Sequence, residues 1–270
     1  ATLLFDKSYE ERDHNLENGS DMSIEFESVY FKYPGRIDFA LDNVTFSLAA
    51  GQKLAFVGEN GSGKSTIVKL LLGEYRVTSG SIKVNGVDIN QISLRSLYDN
   101  ISILVQNSTL FEALSIEENF QFCSPQKITA LEIESAAAKT GAHEFIEKLE
   151  HKYGQRLLSI FDDGTQLSGG QVQRICLARS LARGGGLLIL DEPTSSIDAE
   201  GEDKIFTGIF DFYAGKSMII VSHKFSAIRS ADVIVVMNNG KVVDAGNHNM
   251  LIKRDGVYKR LFDIQARGYK

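Results

Sequence analysis

The segment from Gly58 to Thr66 reads GENGSGKST and contains the residues of a phosphate-binding loop. It follows a short apolar run, residues 53 to 57, and precedes a segment with helical spacing. Glycines let such a loop curl so that backbone N–H groups converge on phosphate oxygens, and the next helix presents its positive end to the same anion. An incidental lysine in a flexible turn would not need these flanking elements. The predicted nucleotide contacts are Gly58, Asn60, Gly61, Ser62, Gly63, Lys64, Ser65 and Thr66.

Two residues of this loop carry chemistry, and an acid pair further along the chain completes the set. Lys64 would reach the terminal phosphates of a nucleoside triphosphate, and the Ser65 hydroxyl would bind Mg²⁺. The run LLILDEP ends in Asp191 and Glu192. In a strand that neighbours the phosphate-loop strand, Asp191 would meet Mg²⁺ through water and Glu192 would face the water that attacks the γ-phosphate. Acid pairs at strand ends also cap helices, so this pair indicates catalysis only in combination with the phosphate loop.

A second glycine-rich element, LSGGQ at residues 167 to 171, distinguishes between families of nucleoside triphosphatases. With VQRICLARSLAR after it and the acid pair about twenty residues on, it resembles the signature of the ATP-binding cassette (ABC) family. The residues also read as a helix start with Ser168 as its N-cap. Both interpretations hold together, because a capped helix start with exposed glycines is an anion site.

The resemblance implies roles for further residues. Tyr33 resembles the aromatic residue that stacks on adenine, and Gln106 the glutamine that touches Mg²⁺ and water and faces a transmembrane partner. His223 resembles the histidine that contacts the γ-phosphate and orients the catalytic glutamate, and Asp198 belongs to a loop that communicates across a dimer. In the family, two domains face each other head to tail. Each ATP would then lie between the phosphate loop of one copy and four residues of the other, Ser168, Gly169, Gly170 and Gln171.

The apolar pattern predicts an α/β fold. Short apolar runs at 187–190, 217–222 and 233–237 alternate with helical segments, which is typical of a mainly parallel sheet covered on both faces. We therefore expect a P-loop NTPase (RecA-like) core, an N-terminal antiparallel β subdomain, and a helical insert at about 108–180 that carries the signature. Capping-box patterns at Ser115 and Thr129 start two helices of the insert. The ATPase domain is predicted at 22–265, with tails at 1–21 and 266–270.

Bulk properties restrict the partners. The chain has 270 residues and a formal net charge of −6, with dispersed acids, so neither a nucleic-acid surface nor a polybasic membrane patch is indicated. The two cysteines are too few for a disulfide framework and are interpreted as reduced thiols. No apolar run reaches the roughly 20 residues that cross a bilayer. Histidines other than His223 are predicted to be solvated.

The resemblance therefore predicts an ATP-hydrolysing domain of an exporter, on the cytoplasmic face of a membrane and attached to a transmembrane domain of the same longer chain. Residues 1–21 would be the linker to that domain or an ordinary disordered terminus. The segment from Phe161 to Gly164 departs from the Gly-Glu-x-Gly of many exporters and is similar to that of bacterial peptide transporters.

Two other functions fit the sequence less well. A non-transport ABC ATPase acting on nucleic acid or ribosomes usually has a long coiled coil or tandem cassettes, and this sequence has neither heptads nor an internal repeat. A regulatory switch that binds ATP without turnover fits poorly, because Glu192 and His223 are both present.

Overall fold

The computed structural model describes residues 12–158, 164–194, 197 and 199–268. The predicted features at Phe161–Asp163 and Asp198 lie outside the described residues. The chain divides into two compact units. Among described residues, unit 1 contains 12–101, 185–189 and 215–268, and unit 2 contains the remainder of 102–214.

The strands are β1 (Ile24–Phe31), β2 (Leu41–Leu48), β3 (Lys53–Val57), β4 (Ser79–Val84), β5 (Val87–Asp88), β6 (Ile101–Leu104), β7 (Leu187–Asp191), β8 (Ser217–Val221), β9 (Val233–Asn238) and β10 (Lys241–Gly246). The helices are α1 (Lys64–Leu71), α2 (Leu94–Asn100), α3 (Ile116–Phe122), α4 (Ala130–Lys139), α5 (His143–Ile146), α6 (Gly169–Arg183), α7 (Ala199–Phe212), α8 (Phe225–Ile228), α9 (His248–Leu251) and α10 (Val257–Gly268). A short 3₁₀ turn covers Lys152–Gly154.

The smaller sheet lies in unit 1 and has the order β2-β1-β4-β5. Its central strand β1 alternates buried apolar and outward polar residues, and it pairs antiparallel with both β2 and β4. A register shift follows Phe26, and Ser28 there has a φ of 46°, so Val29 and Phe31 return to the buried face. The predicted N-terminal antiparallel subdomain is confirmed.

The larger sheet has the order β10-β9-β3-β8-β7-β6. Strand β3 pairs parallel with β8 and β9, whereas β10 is antiparallel to β9. Every residue of β7 and β8 is buried, as expected for strands covered on both faces. The predicted mainly parallel core is confirmed. One detail was wrong: the strand that ends at Asp191 does not neighbour the phosphate-loop strand β3, because β8 lies between them.

The helical insert lies in unit 2, and its helices begin where the capping patterns predict. The Ser115 hydroxyl accepts from the Glu118 N–H at 3.2 Å, and the Glu118 carboxylate accepts from the Ser115 N–H at 2.7 Å. Thr129 and Glu132 make the same reciprocal pair at the start of α4. Two orphan amides of each helix are thereby satisfied. None of the helices built from described residues is long and apolar enough to cross a membrane.

Residues 12–22 pack along unit 1. The His14 N–H donates to the Gln91 carbonyl at 3.1 Å, and the Leu16 N–H donates to the Ser96 hydroxyl of α2 at 2.8 Å. Met22 is 1% exposed. The eleven residues from 12 to 22 are therefore held by backbone and side-chain hydrogen bonds in the structure.

Two histidines predicted to be solvated have defined partners. The imidazole Nδ1 of His143 lies 2.8 Å from the Tyr153 hydroxyl, and that of His248 lies 2.7 Å from the Tyr258 hydroxyl. Both imidazoles are half-buried. The prediction was wrong for these two histidines because each partner tyrosine lies ten positions further along the chain. The residues next to each histidine give no sign of that contact.

Candidate functional site

The phosphate loop connects β3 to α1 in unit 1, and two glycines permit its path. Gly63 is the N-cap of α1 with a φ of 105°, and a Cβ there would lie 2.7 Å from the Leu41 Cδ2 atom. A Cβ at Gly58 would lie 2.3 Å from the Met237 carbonyl oxygen. Side chains at either position would push the loop out of its curl, so the glycines are sterically required.

Lys64 is held over the loop that it belongs to. Its ammonium donates to the carbonyl oxygens of Gly58 at 2.8 Å and Glu59 at 3.0 Å, and the residue is only 6% exposed. The first amides of α1 are directed toward the same place, because the leading N–H groups of any helix have no partner within it. The loop therefore combines a fixed cation with a helix N-terminus, which suits an anion.

The other loop residues divide by exposure. Ser62 and Thr66 are buried, and the Ser62 carbonyl accepts from the Gly240 N–H at 3.1 Å, which ties the loop to the turn before β10. Asn60, Gly61 and Ser65 are exposed. The Ser65 hydroxyl, in the first turn of α1, is thus accessible to a cation bound beside the phosphates.

Tyr33 lies beside the end of this loop. Its hydroxyl is 3.1 Å from the Thr66 hydroxyl, and its ring has edge contacts with Phe31 at 4.9 Å and Tyr75 at 5.3 Å between centroids. The Lys69 ammonium lies 5.6 Å from the ring centroid. These contacts orient a half-buried ring next to the phosphate loop, as an adenine platform requires.

His223 follows β8 in the same unit. It stands two residues beyond Val221, in the turn that leads into α8, and it is half-buried. The Lys224 N–H donates to the Ser222 hydroxyl at 3.0 Å, which tightens the turn. The structure therefore presents this imidazole from the end of a buried strand that pairs with β3.

The acid pair lies where β7 enters unit 2. Asp191 is the last residue of the strand and is 9% exposed. Glu192 has a φ of 51°, a left-handed conformation that costs a non-glycine residue about 1–3 kcal/mol and is common at functional sites. A buried hydrogen bond fixes the loop that follows: the Thr194 hydroxyl donates to the Glu202 carboxylate at 2.7 Å, and both residues are 1% exposed.

The signature element starts α6, the longest described helix, at Gly169. The Ser168 hydroxyl accepts from the Gln171 N–H at 3.3 Å, while the Gln171 side-chain carbonyl accepts from the Ser168 N–H at 2.9 Å. This is a third capping box. Ser168 and Gly169 are exposed, Gly170 and Gln171 are half-buried, and a Cβ built on Gly169 would meet no described atom within 4 Å. The helix N-terminus is thus accessible to an anion.

Gln106 lies in a tight turn of unit 2. The Ser108 N–H and hydroxyl both donate to the Val105 carbonyl, at 3.1 and 2.8 Å, and Gln106 is exposed between them. The Arg179 guanidinium of α6 donates to the Thr109 carbonyl at 3.0 Å and braces the turn. A groove of about 310 Å³ separates this turn from the start of α6, and its walls are residues 104–109 with Gly169, Val172 and Gln173.

The sequence-predicted residues thus fall into two sets. Unit 1 brings together Tyr33 and the phosphate loop and also carries His223, whereas unit 2 carries Gln106, the signature and the acid pair. Sequence reasoning missed the aromatic partners of Tyr33. Phe31 could have been found because it lies only two positions before Tyr33, at the end of β1, whereas Tyr75 offers no local signal.

Comparisons with known proteins agree on one family. Residues 41–195 match the family model described as ABC transporter. The chain is 38% identical over 246 residues to the ATP-dependent lipid A-core flippase of Haemophilus influenzae (strain 86-028NP), covering 91% of this chain and 41% of the flippase. It is 39% identical over 244 residues to ABC transporter B family member 14 of Arabidopsis thaliana, covering 90% of this chain and 19% of the relative.

A solved structure, described as a bacterial Atm1-family ABC exporter with ATP bound, superposes with a TM-score of 0.84 at 31% identity. The match covers 93% of this chain and 43% of that one. The chain thus spans less than half the length of these relatives. The family match covers more than half of this chain and contains both the phosphate loop and the acid pair. The chain belongs to the ABC transporter family, as a nucleotide-binding domain.

Proposed function

We propose that the chain is the ATPase of an exporter and that two copies hydrolyse ATP at a head-to-tail interface. The observation that carries the proposal is the loop of unit 1, in which Lys64 is anchored over a helix N-terminus and Tyr33 is bonded to its last residue. Such a loop holds phosphates and base together. The similarity to a solved ABC exporter favours export over action on nucleic acid or ribosomes.

The residues of unit 1 bind the nucleotide. The ring of Tyr33 stacks on the adenine, and the amides of the loop and of α1 hold the phosphates. Lys64 leaves its carbonyl partners for the terminal phosphate oxygens, where its charge offsets the negative charge that develops in phosphoryl transfer. His223 donates a hydrogen bond to the γ-phosphate.

Glu192 orients and polarises the attacking water. Its carboxylate accepts a proton from the water while the bond to the γ-phosphate forms, so ADP leaves with the bridging oxygen and phosphate is released. The left-handed backbone of this residue points the carboxylate in a direction that an extended strand end would not reach.

By the family resemblance, the residues that would hold Mg²⁺ are Ser65, Gln106 and Asp191, each of which has a side-chain oxygen. Hard oxygen ligands with retained waters suit this ion. The exposed Ser65 in the first turn of α1 and the exposed Gln106 leave both groups accessible. A bound Mg²⁺ would supply positive charge that neutralises the phosphates.

Ser168, Gly169, Gly170 and Gln171 complete the active site of the partner copy. The support is the exposed start of α6, where the capping box leaves the remaining amides directed outward. The helix dipole there favours the γ-phosphate of an ATP held by the other subunit. By the family resemblance, we infer that Asp198 takes part in communication between the two sites.

The partner of the exposed face of unit 2 is a transmembrane domain in the longer chain. The relatives are more than twice as long as this chain, so such proteins have room for that domain. Val105, in the wall of the groove beside Gln106, is 46% exposed, and elsewhere in unit 2 Phe111 is 45% and Phe122 67% exposed. The rings of Phe111 and Phe122 are 4.8 Å apart and form one apolar patch. With such a partner, the domain would lie at the cytoplasmic face of a membrane.

Mixing two inactive variants tests the head-to-tail arrangement. Lys64→Ala removes the phosphate cation and Ser168→Asp places a carboxylate against the partner's phosphate, so each homodimer has two defective sites. A mixed dimer has one intact site, made from the Lys64 of one chain and the Ser168 of the other. We expect the mixture to hydrolyse ATP faster than the sum of the separate samples. A mixture no faster than its components would contradict the arrangement.

A further inference from the structure

A side chain of helix α10 makes hydrogen bonds to the turn that carries His223. The carboxamide of Gln265, on α10, accepts from the Phe225 N–H at 3.2 Å through Oε1, and its Nε2 donates to the His223 carbonyl. The oxygen and the nitrogen of this carboxamide therefore bond to the two peptide groups that flank Lys224. A carboxamide can make both bonds at once, because its oxygen accepts from the N–H while its nitrogen donates to the carbonyl.

Helix α10 is anchored so that Gln265 has a fixed position. Tyr258 and Phe262 each place their ring centroids 5.2 Å from that of Phe225, and Tyr258 is 2% exposed. The Tyr258 hydroxyl in turn bonds to His248. Positions 258, 262 and 265 follow i, i+4, i+7 spacing and occupy one face of the helix. The aromatic contacts thus hold the carboxamide against the turn.

We propose that Gln265 is a positioning residue for ATP hydrolysis: it fixes the peptide groups on both sides of Lys224 and thereby aims the imidazole of His223. The inference rests on the role proposed for His223 above. The strand β8 fixes the turn on one side only, and α8 is a single turn of four residues. A brace from α10 supplies the second point of attachment, which a short helix cannot provide for itself.

The consequence is kinetic rather than a change in nucleotide affinity. Tyr33 and the phosphate loop hold ATP without Gln265, so its loss should leave the KM for ATP nearly unchanged. A displaced imidazole lowers kcat, because an error of about 1 Å in a positioned group can cost about 100-fold in rate. A purely structural role would instead lower Tm and the amount of folded protein with no selective effect on kcat.

Two substitutions in the 270-residue chain separate these outcomes. Gln265→Met keeps the length and packing of the side chain but loses both hydrogen bonds, and Gln265→Glu keeps the acceptor for Phe225 while losing the donor for His223. Asp263→Asn, an exposed change on the same helix, is the matched control. We expect kcat to fall about tenfold in both Gln265 variants, less than the roughly 100-fold loss that a full displacement of about 1 Å can cause. The KM of these variants should stay within about twofold of the wild-type value. The control should keep the wild-type kcat.

A double-substitution cycle with His223→Ala provides the decisive comparison. If Gln265 acts through the imidazole, Gln265→Met should lower kcat in the wild-type chain and have no further effect in the His223→Ala chain. An equal loss in both backgrounds, or a folded Gln265→Met chain with wild-type kcat, would overturn the inference. Should Gln265→Met not fold, the same two criteria apply to Gln265→Glu, and a loss of folding in both variants would also overturn it. A wild-type chain without ATPase activity would instead contradict the proposed function.

Discussion

The hydroxyl of Tyr33 lies 3.1 Å from the hydroxyl of Thr66, the last residue of the phosphate loop. This hydrogen bond joins the segment after β1 to the first turn of α1, so the proposed base platform and the phosphate site are parts of one rigid arrangement. Their separation is then fixed before ATP arrives, which reduces the ordering cost of binding.

Substitution of Tyr33 should distinguish its ring from its hydroxyl. Tyr33→Ala should weaken ATP binding by about 5- to 150-fold, since base stacking on an aromatic ring contributes about 1–3 kcal/mol. Tyr33→Phe keeps the ring and should change the Kd much less. Isothermal titration with ATP and with inorganic triphosphate checks the assignment. Equal weakening of both ligands by Tyr33→Ala would show that the ring does not contact the base.

Two substitutions of Ser168 should separate its capping role from its proposed role toward ATP. Ser168→Ala removes the N-cap and should destabilise the chain by about 1 kcal/mol. Ser168→Asp retains a good cap and a favourable interaction with the helix dipole, so its Tm should stay near that of the wild type. Its carboxylate would nevertheless repel the partner's phosphate and abolish turnover. A Ser168→Asp chain with normal ATPase activity would leave capping as the only role of this residue.

The three capping boxes should respond differently to acid. Backbone hydrogen bonds from Ser115 and Thr129, followed by their hydroxyls, hold the pKa values of Glu118 and Glu132 below the ordinary glutamate value. A lowered pKa in the folded state means that stability is present above the unfolded pKa and is lost as the pH falls through the lowered one. Gln171 occupies the same position in the box of α6 and does not titrate.

We therefore expect amide protection at the starts of α3 and α4 to decrease below the ordinary glutamate pKa of about 4.3, while that at the start of α6 persists. Hydrogen-exchange protection factors, corrected for the intrinsic pH dependence of exchange, provide the measurement. Glu118→Gln and Glu132→Gln keep the box without a titrating group and should flatten the acid response. A parallel decrease at all three helix starts would refute this account.

Much of the site could be predicted because its elements are local in sequence. The strand, loop and helix around Gly58–Thr66 have short-range signals in glycine spacing and apolar pattern, and the capping residues of α3 and α4 lie within three positions of each other. The box at Ser168 and Gln171 has the same spacing, so the sequence also contained that signal.

The features that sequence reasoning missed are long-range. The insertion of β8 between β3 and β7 depends on strand order, which no local pattern determines. Tyr75 reaches Tyr33 from 42 positions away, and Gln265 reaches Phe225 from 40. Such pairings depend on how whole elements pack, and the partner residues have no spacing that marks them in advance.

The substitution Glu192→Gln tests the central claim most directly, with Glu150→Gln, an exposed change in unit 2, as the control. Steady-state ATPase activity and ATP affinity are measured on the same samples. Because a positioned general base contributes about 10²–10⁴-fold, kcat should fall by at least about 100-fold in Glu192→Gln while the Kd for ATP stays within about twofold. A Glu192→Gln chain that hydrolyses ATP at the wild-type rate would contradict the account.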